Sequence, residues 1–377
     1  MKLAPAVALA LLASTPTGAD ANVWDRAIDR DGADAASMYE AALTAGDEAA
    51  GQANTRSVNL AAAVRLVDQA IASYRSAAKA RPDQAEPHYR IAAVLNHFFF
   101  TCASLPTIPQ PVTCALQNDD NRARQLVEAY DKFEELAPLD PRVALILNER
   151  ALTRTKMVAN VPPEIDALQR MLARRDLTDV QRKEAEQRLA KAEKALTEHR
   201  HRLLERAAAD YEAMIDHADS LNDGAQTISY GNLAETFMMV GKLEQAIDAY
   251  KTAIRVRGGD ESVVYGYAVA LDRDDQGAEA RRVIRSLKRE SFEAFVRKYR
   301  EGLVFYVPKG EEYYYLGLLH EAFDEHEEAI EAWQLFVKSG AHPQFQPRAK
   351  AHLDALVKGR RHRPPVVPPP DPFKDLP

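Results

Sequence analysis

The chain has 377 residues, of which 64 are Ala, 16 Gly and 2 Cys, and 46% of it is apolar. Two cysteines exclude a disulfide-built scaffold, a cysteine-caged iron–sulfur protein and a Cys-rich zinc module. A net charge of -7, from 49 Lys+Arg against 56 Asp+Glu, leaves no basic excess and argues against nucleic acid as the main partner.

Residues 1–21 read as a secretory signal peptide. Lys2 supplies the positive start, Leu3 to Ala13 the short apolar run, and Thr17-Gly18-Ala19-Asp20-Ala21 the small-residue exit. Cleavage fits after Ala19 or after Ala21. The apolar run is too short to span a bilayer, and no other run approaches that length. The mature chain is therefore expected to be exported and soluble, periplasmic or extracellular, with no integral membrane segment.

Residues 22–158 read as helical repeats broken by one insertion, about 99–122. Ala70, Tyr74, Ala77 and Pro82 share one spacing; His88, Ile91, Ala92 and Leu95 open the next helix. Its partner helix, with Ala129, Phe133, Leu136 and Pro141, arrives 25 residues late. The insertion carries Cys102 and Cys114 around a proline-rich stretch. In an oxidising compartment these two read as one disulfide. A metal site using His97 and both thiolates lacks a fourth ligand at normal spacing.

Residues 159–223 depart from that pattern. Thr178-Asp179-Val180-Gln181 has the form of a capping box, and Leu189, Ala192, Leu196, Leu203, Ala207, Tyr211 and Met214 recur every three or four residues. The spacing predicts a helix of about 40 residues, or about 60 Å. It carries mixed charges at helical neighbour spacing, so it is either packed against its neighbours with one solvated face or a projecting arm that seats a second copy.

Residues 224–358 hold the clearest periodicity. Tyr230, Leu233, Ala234 and Phe237 precede Gly241; Ala246, Tyr250 and Ala253 follow it. Adding 34 carries Ala246 to Ala280, Tyr250 to Ile284, Ala253 to Leu287, Ala234 to Ala268 and Phe237 to Leu271. Tyr313, Leu316, Gly317, Ala329, Trp333 and Phe336 repeat the offsets, and Pro347 to Val357 reads as a closing cap helix. The pattern resembles the tetratricopeptide repeat, a helix–turn–helix unit of 34 residues. The fold class expected is all-α, a solenoid of helix pairs with one long charged helix in the middle. Residues 359–377 are proline-rich and are expected to be extended.

No chemical motif emerges. His320 and His326 are six apart, and His199 and His201 two apart, so neither pair shares a helix face for metal. No phosphate loop, nucleophile elbow or haem attachment motif occurs. No enzyme, cofactor or metal site is therefore assigned. The resemblance implies instead that first helices line a concave groove for a protein or peptide partner. Carried over by position, the groove residues are Tyr89, Arg90, Asn96, His97, Asn232, Glu235, Met238, Met239, Tyr265, Asp272, Arg273, Tyr314 and Glu321, although Met238 and Met239 fit the core at a helix end equally well. The function expected is a non-enzymatic scaffold of the cell envelope; the alternative is an all-α envelope enzyme acting on glycan or peptide.

Overall fold

Alanine-rich segments with small residues every third or fourth position let helix axes approach closely, and the large residues between them fill the gaps. A computed structural model describes residues 23–55, 59–100, 119–158, 160–217, 223–257, 261–300 and 310–362. The expected signal peptide, the loop with Cys102 and Cys114, and the proline-rich tail lie outside the described residues. Those residues form fifteen α-helices and no strand. None of the helices is long and apolar enough to cross a membrane.

The helices pack in successive antiparallel pairs. Helix α1 (Val23–Ala53) pairs with α2 (Leu60–Ala80), and α3 (Glu86–Phe100) with α4 (Asp120–Leu136). Further along, α8 (Asp223–Met239) pairs with α9 (Leu243–Arg257), and α10 (Glu261–Arg273) with α11 (Gly277–Ser286). Between these sets, α5 (Val143–Met157) pairs with the second half of α7 (Asp179–Asp216), while the short α6 (Pro163–Leu172) lies against the first half. The end of the chain adds α12 (Arg289–Arg300), the pair α13 (Glu312–Ala322) and α14 (His326–Ser339), and the cap α15 (Gln346–His362).

The long middle helix has two characters. Its start carries the expected capping box: Thr178 accepts from the Gln181 amide, and the Gln181 side chain accepts from the Thr178 amide at 3.0 Å. Of residues 186–202 not one is buried, whereas Leu203, Leu204, Ala207, Ala208, Asp210, Tyr211 and Met214 all are. The spacing of Ala207, Tyr211 and Met214 matches that of Ala246, Tyr250 and Ala253, so the last turns serve as the second helix of a pair. Buried Asp210 fixes them to α5, where Arg150 donates at 2.7 Å and Arg154 also bonds it. Ala207 and Tyr211 enter the C-terminal core, Met214 the N-terminal core, and Leu203 and Leu204 a small cluster between the two. Thr178→Ala is expected to weaken the bare first half by about 1 kcal/mol. Hydrogen exchange should rise over residues 179–190 and stay unchanged beyond Leu203.

The final pair departs from simple repetition. Arg273, at the end of α10, bonds Glu311 just before α13, and Tyr314 near the start of α13 donates to Asp272 at 2.8 Å. Arg285, at the end of α11, donates to the Ala322 carbonyl at 2.7 Å at the end of α13. Helix α13 therefore runs antiparallel to α10 and parallel to α11. A regular stack would place it the other way. The added helix α12, held by buried Phe292 and Phe295, supplies the extra reversal.

Candidate functional site

The faces of α5 and α8 share a layout. Leu145 and Ile228 are 52% and 56% exposed, and each stands six residues before a fully buried alanine, Ala151 or Ala234. Helical spacing puts Leu145, Glu149, Leu152 and Lys156 on one face of α5, and Ile228, Asn232 and Glu235 on one face of α8. Each of these faces thus carries an exposed apolar residue and a half-buried carboxylate.

A polar track of three separate clusters runs along them. On α5, Glu149 accepts from Asn96 of α3 and, at 3.4 Å, from Asn148. A carboxylate only accepts, so both amides turn their NH2 groups toward it. Their carbonyl oxygens are left buried and without a hydrogen-bond partner. Burial pushes the Glu149 carboxyl up. Lys156, two turns along the same face, is brought down to about 8 by burial, against the opposing pull of Glu149. Tyr211 of α7 then links the faces through hydrogen bonds with Asn232 of α8 and Thr155 of α5. One turn beyond Asn232, the Glu235 Oε2 accepts from the hydroxyls of Tyr250 and Tyr315, both at 2.8 Å. Burial, and then the nearby negative charge of Glu311, push the Glu235 carboxyl up. Each carboxylate is thus recessed and held by neutral donors.

Of the residues expected to line a groove, Asn96 bonds Glu149, Asn232 bonds Tyr211, and Glu235 accepts from Tyr250 and Tyr315. Tyr89 lies under Arg142, whose guanidinium is 4.3 Å from its ring centre. Arg90 bonds Glu86 at 2.9 Å and also Asp47, and His97 lies 3.1 Å from Asn54. Glu321 sits at the far end, 2.8 Å from His352. Four others are corrected by burial: Tyr265, Asp272, Arg273 and Tyr314 are inside the core, and Met238 and Met239 take the core position of their two readings. The last hairpin covers the end of α10, which turns Asp272 and Arg273 inward. Residues that position alone did not single out are Leu145, Glu149, Tyr211, Ile228, Tyr250 and Tyr315. The available signal was Leu145 and Ile228, each six residues before a small one.

The buried charges of the last hairpin form a separate group. Asp272 accepts from Arg348 at 2.8 Å and lies 3.0 Å from His352, which stacks on Trp333. Burial opposes the charge on His352, but Asp272 and Glu321 outweigh it and raise the imidazole to about 9. A histidine raised in the fold stabilises fully below its unfolded value near 6.5 and loses that contribution as pH climbs through 9. The melting temperature should therefore fall between pH 6.5 and 9, and His352→Gln should flatten that fall. Among the described residues, no group of three His, Cys, Asp or Glu could hold a metal.

No family model and no curated protein matches the chain. Among solved structures it is similar to the TPR domain of P58(IPK), at 13% identity over 86% of this chain and 99% of that one, with a TM-score of 0.18. It is also similar to yeast Tom70, at 11% identity over 90% of this chain and 91% of that one, with a TM-score of 0.24. Both scores are too low to carry an argument; the paired-helix architecture stands on the packing described above.

Proposed function

We propose that the protein is a non-enzymatic scaffold that binds a segment of a partner protein along the α5–α8 face. The observation that carries this reading is the repeated placement of an exposed large apolar residue, Leu145 or Ile228, beside a recessed carboxylate, Glu149 or Glu235. One exposed aliphatic side chain is ordinary; Leu145 and Ile228, at equivalent positions of adjacent pairs bridged by Tyr211, suit a shared ligand. The rival acid–base arrangement has little room. Glu311, the carboxylate nearest in charge to Glu235, is fully buried and is bonded twice by Arg273 at 2.8 Å. A pair working on a substrate needs both groups within its reach.

A photo-crosslinking amino acid at position 145 or 228 tests this, with position 139 as control because Leu139 is 96% exposed on another turn. The same partner should be captured from 145 and from 228, and not from 139. Equal capture from all three, or none from 145 and 228, removes the reading. The envelope location belongs to the same proposal, as does the Cys102–Cys114 disulfide. Removing residues 1–21 should leave the chain in the cytoplasm, and peptide mapping without reductant should recover the two cysteines joined.

A further inference from the structure

We infer that the segment bound along this track is basic, with two cationic side chains about three residues apart alternating with apolar ones. This rests on the proposal that the α5–α8 face is the partner site and adds the chemistry of what it takes.

The acceptors are in place before any ligand arrives. Glu149 is held by the amides of Asn96 and Asn148, and Glu235 by the hydroxyls of Tyr250 and Tyr315. These supports are neutral, so they orient the carboxylates without cancelling their charge. The two unpartnered amide oxygens behind Glu149 are buried; they add negative potential there and present no donor. A guanidinium or ammonium group matches such a site; an acidic segment meets two recessed negative charges. The opposing cations are Lys156, facing Glu149, and Arg273, already taken up by Glu311. Among the described residues, Tyr130 and Tyr211 also feel the Glu149 charge, and Tyr250, Tyr315 and Glu311 stand by Glu235; none of these is positive.

Geometry sets the spacing. Tyr211 bonds Thr155 of α5 and Asn232 of α8, so one side chain bridges the two helices, a separation on the order of 10 Å. Glu149 aligns with Asn232, so Glu235 stands three residues further along α8. An extended chain covers about 3.3 Å per residue, so cations about three residues apart span the two carboxylates. Leu145 and Ile228, on the same faces, suit the apolar residues between the cations. Both carboxyls are raised by burial, so a bound cation favours their ionised form and should expel protons.

Three fluorescein-labelled nine-residue peptides, tested on the full chain by anisotropy, decide the matter. One has two arginines three residues apart among leucine, glycine and serine; the second has citrulline in their place, the third glutamate. The arginine peptide should bind about tenfold more tightly than the citrulline one, and the glutamate peptide more weakly than either. Glu149→Gln and Glu235→Gln should each weaken the arginine peptide about threefold or more, leaving citrulline binding unchanged. Calorimetry near pH 6 in two buffers of different ionisation enthalpy should show proton release that shrinks in Glu235→Gln. Equal or tighter binding of the citrulline or glutamate peptide overturns the inference. Full arginine-peptide affinity in both glutamine variants, or no binding of any peptide, does the same. Partner capture at 145 and 228 without basic preference would sink the chemistry alone. Basic preference indifferent to both glutamine variants would point to another face.

Discussion

Arg273→Met is expected to lower the unfolding free energy by about 3–5 kcal/mol. The side chains of Arg273 and Glu311 are both 0% exposed, and one guanidinium nitrogen lies 2.8 Å from each carboxylate oxygen. The guanidinium is sandwiched, 4.4 Å from the Tyr314 ring centre and 4.2 Å from that of Phe345. Methionine keeps much of the packing and removes the charge. Glu311 would then be left buried with the His342 Nε2 at 3.1 Å as its remaining partner and with Glu235 repelling it. In the native chain Arg273 and His342 outweigh burial and hold the Glu311 carboxyl down at about 2. A carboxyl depressed in the fold stabilises above its unfolded value and loses that contribution as pH falls toward 2. Without Arg273 the same carboxyl should rise and take up a proton instead. The deficit measured by urea unfolding should therefore be largest near pH 7 and smaller near pH 5. Arg273→Met with Glu311→Gln should recover a large part of it. A double variant no more stable than the single one would show that the loss is packing, not an uncompensated charge.

The same buried pair is not legible in the sequence, because its two members meet only through the docking of the last hairpin. Local signals were legible: the Thr178/Gln181 capping box and the helix it opens depend on residues within a few turns of each other. So did the core spacing of Ala246, Tyr250 and Ala253, all buried. Counting positions along a period also assumes that every pair points the same way. Helix α12 breaks that assumption, because it reverses the last hairpin and lays Glu311, Tyr314 and Phe345 over the end of α10. Asp272 and Arg273 then occupy groove positions by number and core positions in space. The α5–α8 track failed to show for another reason. Its links, Asn96 with Glu149 and Tyr211 with Asn232, join helices far apart in sequence, and nothing local fixes which polar residues meet. Glu235 stood out by position; its two tyrosine partners come from 15 and 80 residues away.

Trp333→Ala should cost about 3–5 kcal/mol, the range for removing a large aromatic from a closed core. Trp333 is 0% exposed, meets Tyr314 edge-on at 4.9 Å and stacks on His352 at 4.7 Å. The ring also explains why residue 317 is glycine: a Cβ there would stand 2.7 Å from the rigid indole, with no flexible end to move aside. Gly317→Ala alone should thus be destabilising, although alanine is the better helix former by about 1 kcal/mol. With Trp333 already cut to alanine the indole is gone and a methyl at 317 enters empty space. The sign of Gly317→Ala should then reverse, because its helix preference acts without the clash and part of the cavity is filled. A urea series on the native chain, the two single variants and the double one measures this coupling. If Gly317→Ala destabilises equally in both backgrounds, contact with Trp333 is not what requires glycine there. If its sign reverses, close approach of α13 and α14 at this one point holds the last hairpin together, and with it the lid over Arg273 and Glu311.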